Sequence, residues 1–372
     1  MGIFREVKGN FGFGCMRLPM KDGEVDEAAF CEMVDCFLES GFNYFDTARG
    51  YLDGKSEKAL GKCLAARHPR ESFVLTNKLS DWCFKRREDI RPFFESQLEA
   101  CGVDYFDFYL MHAQNKRLFK QYKECSAYEE AFELKREGKV RHVGISFHDS
   151  AEVLEEILTE YPEIEVVQIQ FNYYDYDDPM VEARACYEVC VKHNKPVLIM
   201  EPVKGGTLVN LPPDAMRHID SLSGGSAASY AIRFAASFDG VFMVLSGMGN
   251  MDMMRENVSF MSDFTPLTDK EKSALFSAAD ALRAKNIIAC TGCRYCVSGC
   301  PVGIAIPDFF ACLNDKEIFN NWQSGYFYSG LVADGARPSE CIGCGACEES
   351  CPQKLPIREL LVKVSAAFEK KE

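Results

Sequence analysis

Basic residues are in the minority: 42 Lys and Arg stand against 56 Asp and Glu, a formal net charge of -14 over 372 residues. A surface of that sign repels phosphate backbones and anionic lipid, which argues against nucleic-acid or membrane partners. It suits a basic redox partner protein. Long apolar runs are missing as well. The segment Met1-Gly2-Ile3-Phe4-Arg5-Glu6-Val7-Lys8 has no core of signal-peptide length, and no run elsewhere approaches a membrane span. The expectation is a cytoplasmic protein. There is no low-complexity tract, and no complete G-x-G-x-x-G fingerprint, since Gly12-Phe13-Gly14-Cys15-Met16-Arg17 misses the last glycine.

Cysteine is plentiful, with 18 in all. Eight fall into two runs of identical spacing, C-x2-C-x2-C-x3-C-P: Cys290, Cys293, Cys296, Cys300, Pro301 and then Cys341, Cys344, Cys347, Cys351, Pro352. Three thiolates of one tight loop at this spacing hold a 4Fe-4S cubane, and in two-cluster proteins the fourth often ligates the other cluster. Structural zinc is the competing reading, but zinc sites use separated C-x2-C pairs instead of four cysteines in one run. Two 4Fe-4S clusters are therefore expected. The other ten cysteines are scattered over apolar segments without disulfide spacing, which reads as free buried thiols in a reducing compartment.

A chain of this length exceeds what one core usually supports, so a large and a small domain are expected. From the N-terminus, short β-branched or aromatic runs alternate with amphipathic ones. The strand candidates are 12–17, 42–46, 73–78, 106–112, 141–146, 166–171, 196–201 and 241–247. Helical spacing covers 27–39, 57–66, 89–100, 128–137, 151–160, 179–193, 226–237 and 251–258. Eight such units over about 250 residues give the size and rhythm of an α/β, (β/α)8 TIM barrel. A doubly wound sheet would want the missing glycine fingerprint. The barrel is expected over 1–264. A connector helix at 265–285 opens on the capping box Thr268-Asp-Lys-Glu271. An α-helical, ferredoxin-like two-cluster domain follows at 286–372, because about forty residues that read as helices separate the runs.

Barrel enzymes place functional side chains at the C-terminal ends of strands. Here Asp46, Lys78 and His112 close successive strand candidates, and Tyr51 follows just past the first of them. Each alone reads equally well as a cap, a satisfied rim group or a surface lysine; four ionisable groups at successive strand ends point to one catalytic mouth. A phenol is a weak acid at neutral pH, and a neighbouring ammonium lowers its pKa. Lys78 beside Tyr51 would favour the phenolate, and Asp46 would pair with Lys78 and hold it in place.

Those residues carry a resemblance. Phe45-Asp46-Thr47-Ala48-Arg49-Gly50-Tyr51, followed by Gly54-x-Ser56-Glu57-x-x-Leu60-Gly61, resembles the D-T-A-x-x-Y and G-x-S-E-x-x-L-G signature of the aldo-keto reductases, over roughly 12–258. The resemblance implies that Asp46, Tyr51, Lys78 and His112 are the catalytic tetrad, with Tyr51 as proton donor and His112 orienting the carbonyl oxygen. It also implies an NAD(P)H cofactor contacted by Gly14, Cys15, Met16, Ser146, Gln168, Met200, Gly247, Met248, Glu256 and Asn257, and a small carbonyl or alcohol substrate. The loop Glu201-Pro202-Val203-Lys204-Gly205-Gly206 would cradle a pyrophosphate with backbone N–H groups and a lysine. The pattern departs from the family at Phe147, where an asparagine usually binds the carboxamide, and at Met200, where an aromatic often stacks on the nicotinamide. Residues 246–253 lack the basic pair for a 2'-phosphate, which leaves NADP against NAD open.

Hydride moves two electrons and a cluster moves one. A flavin could convert between them, although no flavin motif is visible. The reading at this stage is an iron-sulfur oxidoreductase that reduces carbonyls or oxidises alcohols. The alternatives are an electron-transfer subunit with an altered barrel, a flavin-linked reductase, and clusters acting as structural staples.

Overall fold

Eight parallel strands close on themselves. The computed structural model describes residues 3–179, 181–222, 224–285, 288, 290, 292, 294–319, 322–351 and 353–369. In chain order the strands are β1 (Phe11–Gly14), the hairpin β2 (Met20–Lys21) and β3 (Glu24–Val25), β4 (Tyr44–Asp46), β5 (Val74–Leu79), β6 (Phe106–Gln114), β7 (Val140–Phe147), β8 (Val166–Gln170), β9 (Val197–Met200) and β10 (Val241–Ser246). All but the hairpin join one closed barrel, in the order β1-β10-β9-β8-β7-β6-β5-β4. The expected (β/α)8 architecture is present.

Strands of a parallel barrel are covered on both faces, which is why they read as continuous apolar runs. Every residue of β5 is buried. The covering helices show the matching stripe. In the helix Glu27–Glu39, Phe30, Met33, Val34 and Phe37 are buried at i, i+3, i+4 and i+7, and the Asp26 side chain caps its start by accepting from Ala29 N. Each such side chain contributes roughly 1.5–3 kcal/mol by leaving water. Phe37 meets Phe13, Phe42 and Phe45 at centroid distances of 5.8, 5.6 and 5.2 Å. The N-terminal end of the barrel is filled by Phe4, Tyr44, Val74, Phe108, Leu110, Val166, Leu198, Met243 and Leu245.

The differences from expectation have local causes. β1 ends at Gly14, where Cys15 N–H makes the last ladder bond, to the Asp46 carbonyl at 2.8 Å. The expected helix 57–66 is an α-helix Lys55–Leu60 continued by a π-turn Gly61–Ala65. There a Cβ on Gly61 would stand 2.7 Å from the Ala100 carbonyl oxygen. Helices Lys116–Glu124 and Pro213–Asp220 were not anticipated. The reading of all ten scattered cysteines as free thiols is corrected: Cys31 and Cys63 form a disulfide, because the first helix packs on the π-turn and brings their Cα atoms to 4.7 Å.

Two compact units emerge, residues 1–204 with 223–273, and 205–222 with 274–372. The division thus falls inside the helix Asp269–Arg283, and the second unit takes in Pro213–Asp220, whose Asp214 pairs with Lys285 at 2.9 Å. The second unit also holds helices Tyr295–Ser298, Ile306–Phe319, Trp322–Asp334, Ala346–Ser350 and Ile357–Phe368. Asn314 clamps the Ile288 backbone through both its amide groups, at 2.9 and 2.8 Å. No helix among the described residues is long and apolar enough to cross a membrane.

Candidate active site

Asp46 is the last residue of β4, and Lys78 sits near the end of β5. The strands are neighbours, so Lys78 Nζ reaches Asp46 Oδ1 at 2.6 Å, the Thr47 carbonyl at 2.9 Å and the Tyr51 hydroxyl at 3.2 Å. Tyr51 opens a short 3-10 turn in which Leu52 and Asp53 hold left-handed φ values of 51° and 54°. That loop is anchored by a Thr47–Ser56 hydroxyl pair at 2.8 Å, with Ser56 also donating to the Cys15 carbonyl at 2.8 Å.

His112 is aimed by a bulge. The β6–β7 register slips between Met111 and Gln114, and Ala113 takes a left-handed φ of 54°. A bulge re-aims a side chain in this way. The Ser146 hydroxyl accepts from Ala113 N–H at 2.8 Å, which leaves its own proton to donate. His112 Nδ1 shares a 2.8 Å hydrogen bond with the Ser80 hydroxyl, and its rim ring lies 6.3 Å from that of Tyr51.

Burial dominates the electrostatics. It pushes the Tyr51 hydroxyl up from its ordinary value, outweighing the downward pull of Lys78, while Asp46 adds to the rise. The expected net lowering of Tyr51 is thus reversed, and the phenol is held protonated. Burial alone would lower Lys78, but Asp46 and Tyr51 reverse this and the ammonium ends above its usual value. The Asp46 carboxyl is raised by burial against the pull of Lys78. With 2.6 Å between them and both side chains buried, the two form an ion pair. His112 is pushed well down by burial, then by the charge of Lys78 and by His148, so its imidazole is neutral near pH 7.

The remaining sequence candidates fall as follows. Gln168, on β8, is 1% exposed; its Nε2 reaches toward Asp46 Oδ2 at 3.5 Å, and its Oε1 has no partner among the described residues. A buried amide oxygen without a donor fits the carboxamide N–H of a nicotinamide. Gly14 ends β1, Cys15 is buried with its thiol pKa pushed well up by burial, and Met16 follows in the turn. Met200 ends β9 and Pro202 is buried. Lys204 is buried, and its ammonium meets Asp175 Oδ1 at 3.0 Å. Gln170 and Asn172 donate to that same carboxylate at 2.8 and 2.7 Å. The lysine's charge is therefore matched within the fold. Gly205 and Gly206 hold left-handed φ values of 65° and 100° and fall in the second unit. Gly247 is exposed, Met248 buried and Glu256 exposed, while Asn257 is buried and donates to Ser246 Oγ at 2.9 Å.

In the second unit the cysteines gather around two cavities. One is lined by Cys300 with Cys341, Cys344 and Cys347. The other is lined by Cys290 and Cys296 with Cys351. Cys293 and Pro352 lie outside the described residues. Each cavity thus takes the last cysteine of the opposite run. Among the described residues no group of His, Cys, Asp or Glu is placed to hold a single metal ion. Sulfurs spread around a void instead of converging on a point fit a cubane cluster.

The profile of the Aldo/keto reductase family matches residues 10–280. The chain belongs to this family. The profile of the 4Fe-4S dicluster domain matches residues 289–355. An aldo-keto reductase from Mycolicibacterium smegmatis is 27% identical over 265 residues, 70% of this chain and 86% of that protein. An NADH-specific methylglyoxal reductase from Escherichia coli is 31% identical over 178 residues, 42% of this chain and 52% of the relative. Among solved structures, the holo form of an aldo-keto reductase from Bacillus halodurans superposes with a TM-score of 0.60 at 26% identity, over 73% of this chain and 92% of that one. The protein is an aldo/keto reductase-family oxidoreductase with a 4Fe-4S dicluster domain.

Sequence reasoning passed over several residues of this aldo/keto reductase site. Ser80 lies two positions beyond Lys78, so a period of two could have flagged it. His148, just past β7, is held down to about 4 by burial and then by the Lys78 charge. Gln97 is fully buried; its Nε2 lies 3.0 Å from Glu57, 2.9 Å from Asn77 Oδ1 and 3.1 Å from the Lys78 carbonyl, and its Oε1 accepts from Tyr109 at 2.7 Å. Glu57 in turn holds Arg49 at 2.6 Å. This network fixes the backbone that carries Lys78.

Proposed function

We propose that the barrel reduces the carbonyl of a small aldehyde or ketone, or oxidises the corresponding alcohol, and that the C-terminal runs hold two 4Fe-4S clusters which pass single electrons. The observation that carries this reading is the convergence of Asp46 and Tyr51 on the Lys78 ammonium, with the His112 ring beside that of Tyr51. NAD(P)H, when bound, supplies the hydride. Gln168 Oε1 would hold its carboxamide, and the Ser146 hydroxyl would offer a second contact. The Tyr51 hydroxyl, kept protonated by burial, gives its proton to the carbonyl oxygen as negative charge builds there. Lys78, 3.2 Å away, stabilises the phenolate left behind, and Asp46 keeps the ammonium in place. With Ser80 donating to Nδ1, His112 Nε2 carries the proton that meets the same oxygen. In the alcohol direction the same groups act in reverse.

Methylglyoxal is the first substrate to try, given the relative of that name. Anaerobically reconstituted protein is assayed with NADH and with NADPH. Tyr51→Phe should lower turnover by about 10²- to 10⁴-fold, the range for a general acid, while cluster absorption is retained. Unchanged turnover sinks the tetrad mechanism. A second reading, an electron-transfer subunit, draws on the departures Phe147 and Met200 and on the paired Lys204. It is preferred if neither nucleotide binds while a partner protein oxidises the clusters. Hydride and proton transfer between these groups and NAD(P)H requires no flavin.

A further inference from the structure

The two cysteine-lined cavities differ in charge. Around Cys290, Cys296 and Cys351 the described lining is Ile306, Pro307, Phe310, Leu355, Ile357 and the neutral Gln353. Arg294, the basic residue inside that run, is absent from this lining and is paired in bidentate fashion with Asp308, at 3.0 and 2.9 Å. The cavity of Cys300, Cys341, Cys344 and Cys347 is lined by a charged side chain, Arg358. Arg358 is the second residue of the helix Ile357–Phe368. Ile357 faces one cavity, and Arg358 with Leu361 faces the other.

The guanidinium is held in place. Glu348 accepts from the Arg358 backbone N–H at 2.9 Å and from its Nη2 at 2.8 Å. Glu348 is not part of the cavity lining whereas Arg358 is, and Arg358 Nη1 approaches the Gly343 carbonyl, between Cys341 and Cys344, at 3.5 Å. The start of a helix adds positive potential in the same place. An arginine stays charged at every working pH. The rim is also wetter here, with Cys344 exposed and Ile342 68% exposed, whereas Cys296 and Cys351 are buried.

Cluster potentials respond to net charge, hydrogen bonding and solvent exposure. Resting on the cluster reading above, we propose that Arg358 makes the two clusters inequivalent, raising the reduction potential at Cys300, Cys341, Cys344 and Cys347 above that of its neighbour. Reduction adds one electron and no proton to a 4Fe-4S centre, and the fixed cation favours that added negative charge. Electrons delivered to either centre come to rest at the Arg358 side, the one nearer solvent.

The test is a potentiometric titration of the full-length, anaerobically reconstituted protein, with dithionite as the electron donor and EPR as the readout. Two one-electron components of different midpoint are expected, and Cys344→Ser should alter the spectrum of the higher one. Arg358→Gln should lower that higher midpoint enough to change electron sharing between the centres at least tenfold, about 59 mV for a one-electron couple, and leave the lower midpoint in place. Arg358→Lys, which keeps the charge, should retain the wild-type sharing within about threefold. Full iron content with both midpoints unmoved in Arg358→Gln overturns the proposal, as does a collapse of the higher midpoint in Arg358→Lys. A wild-type chain that takes up no iron and sulfide overturns the cluster reading beneath it.

Discussion

Replacing Lys78 by Met removes the cation at the centre of the tetrad and leaves Asp46 buried without it. The ammonium satisfies three acceptors, Asp46 at 2.6 Å, the Thr47 carbonyl at 2.9 Å and Tyr51 at 3.2 Å. Once it is gone, Asp46 keeps only the 3.5 Å approach of Gln168. Breaking a buried pair from one side costs about 3–5 kcal/mol, because the stranded charge cannot return to water. Asp46→Asn strands the ammonium in its turn, at a similar cost. The double variant leaves no buried charge and should cost less than the sum of the singles by at least about 2 kcal/mol. Urea midpoints of the four proteins, at pH 7 and matched cluster content, close the cycle. Costs that simply add, or a Lys78→Met loss below about 1 kcal/mol, would refute the claim that the two residues form an ion pair in the fold.

Three further outcomes are expected. Ser80→Ala removes the partner of His112 Nδ1, a hydrogen bond worth about 0.5–1.5 kcal/mol, so kcat/KM should fall roughly two- to tenfold; an unchanged value removes Ser80 from the site. Gly144→Ala would set a Cβ 2.5 Å from both Val166 Cγ1 and the Val166 carbonyl oxygen, and should lower stability by about 1–3 kcal/mol in thermal unfolding. His142 lies between Glu6 at 2.7 Å and Glu165 at 3.0 Å; burial alone would lower its pKa, but the two carboxylates raise it. A raised folded-state value stabilises fully below the unfolded pKa near 6.5 and loses that contribution as pH rises through the folded value. The urea midpoint of wild type should therefore exceed that of His142→Phe most at pH 6 and least at alkaline pH. Glu165 runs the opposite way: burial raises it, yet hydrogen bonds from His142 and Lys135 bring it to about 2, so its contribution fades as pH falls from 4.5.

The barrel and its candidate site were legible because polar groups close successive apolar strand runs at their C-terminal ends. Asp46, Lys78 and His112 stand out against the phenylalanines and leucines that precede them. Strand ends moved by up to three residues, since a ladder stops where its neighbours stop, and a chain read alone has no neighbours. The lowering expected for Tyr51 reversed for a related reason: the charge of Lys78 can be read from spacing, but burial cannot. Gln97 falls within the expected helix 89–100, where spacing alone does not show that packing encloses it. The pairings Lys204–Asp175 and Cys31–Cys63 span 29 and 32 positions, and nothing in those intervals signals them. The cysteine runs were legible residue by residue, because their spacing is local. The charge beside one of them was not, because Arg358 reaches it from a helix seven positions past the last cysteine.

The exchange of terminal cysteines between the two runs has a consequence for how the C-terminal unit is made. Neither run is a self-sufficient nest: Cys300 completes the cavity of the later run, and Cys351 that of the earlier one. Filling either void ties together stretches about forty residues apart and closes the helices Ile306–Phe319 and Trp322–Asp334 into a loop. The first iron-sulfur centre to be inserted thereby pre-arranges the berth of the second. Maturation of the pair should be close to all-or-none, with half-loaded chains scarce even when iron is limiting.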